Sequence, residues 1–312
     1  MIRFASTAVA AALAITGCPK SSPHSPADAA SAKSTRPASG EFSVMTYNLN
    51  RFCYDDRDGD GQANDFKPDA EIQAEMTVIQ DESPDVLACM EMGEASSFQR
   101  FRDELKKRGL DYPHVEHLVR PDIQTHLALL SRFPIVARLP ITNESYTILR
   151  ESIPVQHGFL CADIQVNDHY RFKIIAAHLK SKRFNEAGQT EMRRNEARLL
   201  NKNVRHFLAD CTNQNLLVVG DLNDRPDSSA LREAIGKQQR VLADLRPADF
   251  LGDTWTHMVK SEDTYDRTDY VLCSPAMLRE AVTGKCHVVR SSLTSIASDH
   301  RPVVAVFRAQ DL

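Results

Sequence analysis

The stretch NLLVVGDLNDRP, residues 215–226, sets the architecture of this chain. Its apolar run is typical of a strand that is buried on both faces, and the run ends at Gly220. Asp221 and Asn223 follow two positions apart, so in an extended chain their side chains point the same way. A carboxylate beside a carboxamide can orient a water molecule or a phosphate oxygen. An ordinary turn, in which both side chains bind backbone groups, is the alternative.

Similar β-rich runs recur on both sides of this stretch and alternate with helical patterns. Strands are predicted at FSVMTY (42–47), DVLACM (85–90), LALLSRF (127–133), PIVARL (134–139), GFLCADIQV (158–166), FKIIAAHL (172–179), NLLVVG (215–220), TDYVLCS (268–274) and PVVAVF (302–307). Helices are predicted at residues 70–80, 97–110 and 190–209. So many strands with so few helices indicate an α/β fold of two packed sheets with helices outside.

Length and charge narrow the class of protein. The chain has 312 residues, 42% of them hydrophobic, which is enough for a large core, and no fixed repeat is visible. We therefore interpret residues 41–312 as one domain, and we expect a monomer. The formal net charge of −4 excludes the basic surface of a typical nucleic-acid-binding domain.

The N-terminal residues are typical of an export signal. Arg3 precedes an uncharged apolar run that is too short to span a bilayer. Residues 1–17 are thus predicted to be a lipoprotein signal peptide, since Ile15-Thr16-Gly17-Cys18 resembles the bacterial processing box. Cys18 would then be lipidated and would anchor the protein to a membrane of the bacterial cell envelope. An export signal that ends in Gly-Cys by chance is the alternative.

Residues 18–40 are mainly Ser, Ala and Pro and are predicted to form a flexible tether, because they hold almost no large apolar side chain. Six cysteines follow the tether: Cys53, Cys89, Cys161, Cys211, Cys273 and Cys286. Disulfides can form in an exported protein. Buried free thiols are equally compatible with the apolar surroundings of several of these cysteines.

Side chains that bind metals or move protons also stand at the ends of other predicted strands. Glu91 and His178 follow apolar strands, Asp269 begins one, and the pair Asp299–His300 directly precedes the last. Singly, each is compatible with a solvated strand end or a histidine that bonds to nearby backbone. Because ligands of α/β sheets lie beyond the strand ends, the recurrence at five ends favours a shared functional site.

These residues resemble the endonuclease/exonuclease/phosphatase superfamily, the deoxyribonuclease-I-like phosphodiesterases. The motifs occur in family order: TYNL with Asn48, the strand ending in Glu91, LLSRFPI (129–135), the strand with His178, GDLND with Asp221 and Asn223, RTDYVL with Asp269, and SDHRPV with Asp299 and His300. The resemblance covers residues 43–308. It implies a four-layer sandwich of two mixed β-sheets flanked by helices, with the active site at one edge.

The resemblance also implies metal-assisted hydrolysis of a phosphate ester. Glu91 is then the first metal ligand, and Asn48 and Asp299 are direct or water-mediated partners. Mg²⁺ is the expected ion, with Mn²⁺ or Ca²⁺ as substitutes, because it keeps several waters and takes few carboxylates.

The remaining family positions imply acid–base roles. Asp269 would orient His300, and either His300 or Asp221 would take a proton from the attacking water. Asn223 would hold the nucleophile or a phosphate oxygen.

His178 would donate to a phosphate oxygen or to the leaving group. That role requires a carboxylate behind the ring, for which Glu151 is one candidate. Two positions depart from the family pattern: Met90 stands where glutamine is common, and His157 stands where arginine is often found.

The acidic stretch YDDRDGDGQANDF, residues 54–66, resembles a calcium loop. EF-hand places one, three, five, six and nine hold Asp56, Asp58, Asp60, Gly61 and Asn64. Place twelve is Lys67 instead of the required glutamate, and no helix is predicted before the loop. A structural calcium turn and a solvated acidic loop are equally compatible with this pattern.

Two functional hypotheses follow. The first is an exported, membrane-tethered, metal-dependent phosphodiesterase or nuclease that acts on nucleic acid, a phospholipid or a small phosphorylated metabolite. The second is a non-catalytic, calcium-dependent surface binding protein on the same fold.

Overall fold

The computed structural model describes residues 40–209, 214–236 and 241–312. Its strands are β1 (Glu41–Phe52), β2 (Tyr54–Asp55), β3 (Asp65–Phe66), β4 (Val86–Met92), β5 (His114–Leu118), β6 (His126–Ser131), β7 (Ile135–Arg138), β8 (Ser145–Ile148), β9 (Glu151–Pro154), β10 (Phe159–Asn167), β11 (Tyr170–His178), β12 (Leu216–Asp221), β13 (Ala243–Asp244), β14 (His257–Val259), β15 (Thr264–Asp266), β16 (Asp269–Cys273), β17 (His287–Val288) and β18 (Val303–Arg308). Its α-helices are α1 (Asp69–Glu82), α2 (Ala95–Lys107), α3 (Gln189–Ala209), α4 (Ser229–Ile235), α5 (Pro275–Glu280) and α6 (Thr294–Ala297).

Two six-stranded mixed sheets form the centre of the described fold. The first has the strand order β17-β18-β1-β4-β6-β5, and the second has the order β13-β16-β12-β11-β10-β7. Each sheet has one parallel pair at its centre, β1 with β4 and β11 with β12. The neighbours on either side of each pair are antiparallel.

Alternating side chains give each sheet two buried faces. In β1, Val44 packs between the sheets, whereas Met45 faces the helical layer on the other side. The inner faces meet in an aromatic contact, in which the rings of Phe42 and Phe172 are 5.0 Å apart. Helices α1 and α2 cover the outer face of the first sheet, and α3 and α4 cover that of the second. The predicted sandwich of two mixed sheets flanked by helices is confirmed.

The long predicted helices are present as α1, α2 and α3, within a few residues of their expected ends. The sequence did not indicate the hairpins β8–β9 and β14–β15 or the short helices α4 to α6. These elements are short and partly exposed, so they lack a periodic apolar pattern. None of the described helices is both long and apolar enough to cross a membrane.

Five cysteines lie in the described part, and none of them forms a disulfide. Cys53, Cys89, Cys161 and Cys273 are buried, and burial raises the pKa of the Cys89 and Cys273 thiols well above its usual range. These two thiols are therefore core side chains of low reactivity. The predicted signal peptide, Cys18 and Cys211 lie outside the described residues.

Gly220 is required where β12 lies beside β11. Its φ of +134° is rarely adopted by other residues, and a Cβ at this position would be 2.0 Å from the carbonyl oxygen of Ala177. The next pair in the register is His178 with Asp221, so this contact also fixes two predicted site residues.

We expect Gly220→Ala to destabilise the fold by at least about 2 kcal/mol, because the backbone of two central strands must separate. Urea unfolding measures this change. Gly284→Ala is the control, since no atom lies within 4 Å of its added methyl group. Equal midpoints for the Gly220 variant and the wild type would show that the strand pair does not depend on this glycine.

Candidate active site

The predicted site residues meet at one edge of the sandwich. Parallel strands β1, β4, β11 and β12 end at this edge, and their antiparallel neighbour β16 begins there. In the second sheet, His178, Asp221 and Asp269 are direct partners across three strands. Because cross-strand partners point to the same face, the register itself brings these three side chains together.

Asn48, on β1, joins the two sheets at this edge. Its Nδ2 donates to Glu91 Oε1 at 3.3 Å and to Asp221 Oδ2 at 3.1 Å. Its Oδ1 accepts the backbone N–H of Asn50 at 3.0 Å. In this arrangement the carboxamide positions two carboxylates, and its place in the metal shell stays a prediction.

Backbone strain is concentrated among these residues. Glu91 has a φ of +60° and Asn223 a φ of +56°, and the β1–β4 register shifts after Asn48. Non-glycine residues in this region cost free energy, and such residues cluster at functional sites.

Because of this positive φ, the backbone of Asn223 is not extended and does not continue β12. Its backbone N–H donates to Asp221 Oδ1 at 2.8 Å, and its Nδ2 donates to the carbonyl of Leu179 at 2.9 Å. These bonds agree with the turn interpretation of this stretch, and the role of Asp221 in a site stays a prediction. The predicted contact of Asn223 with substrate stays a prediction.

Asp269 and His300 form a buried pair. His300 Nδ1 is 2.8 Å from Asp269 Oδ2, and its Nε2 is 3.7 Å from Asp221 Oδ2. Thr256 Oγ1 donates to the same Asp269 oxygen at 2.7 Å and Thr268 Oγ1 at 3.2 Å, so that oxygen has three partners and its position is fixed. Oδ1 of Asp269 is buried without a hydrogen-bond partner.

Electrostatics set the protonation of this pair. Burial lowers the pKa of His300, but the carboxylates of Asp269 and Asp221 outweigh burial and raise it to about 10. Burial, together with the neighbouring Asp269, raises the pKa of Asp221. A pKa of about 10 keeps a proton on both ring nitrogens of His300 at neutral pH, so His300 cannot accept another and Asp221 is the remaining candidate base.

The ring of His178 faces the same cluster. Its Nε2 is 3.7 Å from Asp221 Oδ2 and 3.9 Å from Glu91 Oε1, while its Nδ1 is buried without a partner. The carboxylates beside His178 are therefore those of Glu91 and Asp221. Glu151, the carboxylate expected behind the ring, is instead exposed on β9.

His157, which stands at the family's arginine position, stacks on His178. The ring centroids are 4.5 Å apart and the planes are inclined by 20°. Burial holds the pKa of His157 well below its usual range, and its Nδ1 is 3.2 Å from the carbonyl oxygen of Thr125. His157 is therefore held neutral and adds no positive charge beside His178.

Asp299 lies at the outer rim of the cluster. Burial raises its pKa, but the contact with His257 outweighs burial and the net shift is downward. The preceding residue, Ser298, donates its hydroxyl to the carbonyl oxygen of Asn48 at 2.8 Å. This bond attaches the segment that carries Asp299 and His300 to the end of β1.

The donors at this edge fit a divalent cation. Four carboxylates, those of Glu91, Asp221, Asp269 and Asp299, are gathered here, and His300 is the one group among the predicted site residues whose pKa shift favours a positive charge. The surplus of negative charge and the oxygen donors suit Mg²⁺ or Mn²⁺. Glu91 is accessible to an ion, since 21% of its side chain is exposed.

The acidic loop lies outside this cluster, on the hairpin of β2 and β3. One carboxylate oxygen from each of Asp56, Asp58 and Asp60 lies within 4.8 Å of the others, and all three accept backbone N–H groups of the loop. Lys67 is buried and pairs with Glu75 at 2.9 Å, so it supplies no twelfth ligand. No helix precedes the loop, and its calcium binding stays a prediction.

Several residues of the site were not recognised in the sequence. Thr256 and Ser298 fix the Asp269–His300 pair and its segment, and His257 stacks on His300. Ser298 is the first residue of the SDHRPV motif, and its place beside Asp299 and His300 could have indicated a role in positioning them. Thr256 and His257 lie in a short partly exposed strand region without periodicity, and nothing local distinguishes them.

This geometry is that of the deoxyribonuclease-I-like class. Two mixed sheets lie between helical layers, and the central strands end in polar residues at one edge. The chain belongs to the endonuclease/exonuclease/phosphatase family, whose family model matches residues 45–300. The resemblance that the motifs indicated is confirmed.

Solved structures with the same fold have low sequence identity to this chain. An endonuclease/exonuclease/phosphatase from Beutenbergia cavernae is 20% identical with a TM-score of 0.61, covering 86% of this chain and 72% of its own. The human Nocturnin catalytic domain with bound sulfate anion is 16% identical, with a TM-score of 0.59 and coverage of 89% and 96%. Truncated Caenorhabditis elegans TDP2 is 17% identical, with a TM-score of 0.57 and coverage of 86% and 98%. Among curated proteins, no sequence matches significantly.

The buried carboxyl group of Glu196, outside the cluster, binds the segment that follows His178. Glu196, on α3, accepts the backbone N–H of Lys180 at 2.6 Å and the hydroxyl of Tyr146 at 3.4 Å. Burial raises the pKa of Glu196 from 4.5 to about 7. Its carboxyl binds a proton more tightly in the folded state than in the unfolded chain.

We expect the stability of the wild type, relative to Glu196→Gln, to fall as the pH rises from 5 to 8. The fold favours the protonated form of Glu196, so this stability is complete below the unfolded pKa of 4.5. It is lost as the pH rises through the folded pKa of about 7, by about 3 kcal/mol in total. Urea unfolding at pH 5, 6, 7 and 8 measures the difference. A difference that is constant with pH would contradict the raised pKa.

Proposed function

We propose that this protein is a divalent-metal-dependent hydrolase of phosphate esters, acting as a phosphodiesterase or nuclease. The observation that carries the proposal is the buried array of Asp269, His300 and Asp221, which continues through Asn48 to Glu91. It places a base, a cationic hydrogen-bond donor and a metal-type carboxylate at one accessible edge. The family supports this reaction class, and in human Nocturnin the catalytic domain binds sulfate, a tetrahedral anion like phosphate.

Glu91 and Asp299 would hold the metal ion, with Asn48 orienting Glu91. When bound, the ion would neutralise the charge that grows on the phosphate oxygens and lower the pKa of a bound water. The surplus of carboxylates at the edge supports this assignment, because without a cation they repel one another.

Our choice between the two candidate bases rests on the protonation state of His300. His300 holds its proton at neutral pH, with Nδ1 bound to Asp269 and Nε2 directed to Asp221 at 3.7 Å, so its Nε2–H is available to a phosphate oxygen. We therefore assign Asp221 to accept the proton of the attacking water. His300 then stabilises the negative charge of the transition state.

His178 has a separate role on the other side of Asp221. Its Nε2 points toward the site between Glu91 and Asp221, and stacking by His157 fixes its ring plane. A hydrogen bond from this nitrogen to a non-bridging phosphate oxygen, or to the leaving group, fits its position.

We expect Glu91→Gln to lower kcat at least about 100-fold, because it removes a negatively charged metal ligand. We expect Asp269→Asn to lower kcat by a similar factor, because it removes the carboxylate that binds His300. His300→Ala should lower kcat by at least as much. The assay follows chelator-sensitive hydrolysis of plasmid DNA, RNA, sphingomyelin and inositol phosphates with Mg²⁺, Ca²⁺ or Mn²⁺.

Glu104→Gln, on α2, is the matched carboxamide control and should keep full turnover, because Glu104 pairs with Lys107 on its own helix and not with the cluster. Undiminished hydrolysis in the Glu91 and His300 variants would reject the proposal. A folded wild type that is inert toward the whole panel would instead favour the calcium-dependent binding protein. The substrate on which turnover is fastest identifies the class of ester.

We further propose that the protein is exported and anchored through a lipid on Cys18, as the Ile15-Thr16-Gly17-Cys18 box indicates. Cys18→Ser should move the protein from the membrane fraction to the soluble periplasmic or secreted fraction when it is expressed in a bacterium, because it removes the acylated thiol. Fractionation and immunoblotting measure this shift. An unchanged membrane fraction would contradict the anchor.

A further inference from the structure

His257 lies beside the predicted metal ligand Asp299 through a fixed backbone register. It begins β14, and an antiparallel bridge pairs it with His300. The next residue, Met258, donates its backbone N–H to the carbonyl of Asp299 at 2.9 Å. The position of the imidazole thus depends on backbone pairing and not on a flexible side chain alone.

The donor atoms in this corner are close enough for one ion. His257 Nε2 is 3.7 Å from Asp299 Oδ2. One ring nitrogen of His257, one of His300 and an oxygen of Asp299 all lie within 4.8 Å of one another. The His257 side chain is 21% exposed and that of Asp299 is 35% exposed, so an ion can reach both from solvent.

The two histidines of the corner are not equivalent. His300 is buried, and its Nδ1 is bound to Asp269 at 2.8 Å. The ring of His257 stacks on it with centroids 4.3 Å apart and planes inclined by 23°. Stacking holds the His257 ring in place while its Nε2 faces the carboxylate, so His257 is the imidazole available to an ion.

We propose that His257 and Asp299 together ligate a divalent ion at the rim of the active site, and that the imidazole makes this position prefer Mn²⁺, Co²⁺ or Zn²⁺ over Mg²⁺. This inference rests on the proposed function, in which Asp299 binds the metal. Carboxylate and water ligands suit Mg²⁺, whereas an imidazole nitrogen raises affinity for first-row transition ions. His257 thereby determines which ion the site selects.

Two variants separate ligation from the positioning of Asp299. His257→Gln keeps a side-chain donor that can hold the Asp299 carboxylate, and His257→Phe keeps a ring that can stack on His300. Both remove the nitrogen ligand. His114→Gln is the control, because His114 pairs with Ser131 at the end of β6 that is remote from Glu91.

The experiment is metal binding by the full chain without substrate, after removal of metals by chelation. Isothermal titration with Co²⁺, Mn²⁺ and Mg²⁺ gives the affinities, the visible spectrum of bound Co²⁺ reports its ligands, and thermal melting checks the fold. We expect both His257 variants to lose about tenfold or more in Co²⁺ and Mn²⁺ affinity, with a changed Co²⁺ spectrum. Mg²⁺ affinity should stay within about threefold of wild type in both variants. The control should match wild type.

Unchanged Co²⁺ affinity and spectrum in both variants would overturn the inference. So would a parallel loss of Mg²⁺ and Co²⁺ affinity in His257→Phe that His257→Gln restores, since this would show that His257 only positions Asp299. Because binding is measured without turnover, these outcomes are distinct from failure of the proposed hydrolysis, which the Glu91 and His300 variants test.

Discussion

The site depends on the hydrogen bonds that Asn48 donates across the two sheets, to Glu91 on its own sheet and to Asp221 on the other. The central strands are largely buried on both faces, so an unpaired charge along them is costly, and Lys173 of β11 is buried with Asp163 as its partner. The carboxylates of the site lie instead at the ends of the strands. A carboxamide is suited to the junction, because it is uncharged and its two N–H groups can satisfy one carboxylate of each sheet.

The carboxylates gathered at this junction determine the protonation of the groups around them. Burial, and after it the neighbouring carboxylate of Asp269, raises the pKa of Asp221. The same charges hold a proton on His300. One acid is thereby made more basic and one imidazole is made a permanent donor, which is the separation of roles that acid–base chemistry requires.

Much of this arrangement could be predicted from sequence because strand ends are local signals. Apolar runs that stop at Glu91, His178 and Asp221 indicated both the sandwich and its functional edge. The geometry beyond the last strand residue could not be predicted in the same way. Asn223 departs from extended backbone, and Glu151 lies away from His178, because both depend on how distant loops fold back. The stacked histidines, His157 and His257, depend on contacts between segments far apart in sequence, which no local pattern records.

Lys67 links the acidic loop to this edge. It is fully buried where the loop ends, and its ammonium donates to the carbonyl of Leu49 at 2.7 Å and pairs with Glu75 of α1. Both ends of the loop are thus clamped, one by the β2–β3 pair and one by this cation. A substitution at the aspartate-rich tip leaves both clamps in place. Loss of the Lys67 ammonium would instead release the loop and leave Glu75 as a buried carboxyl group without its cationic partner.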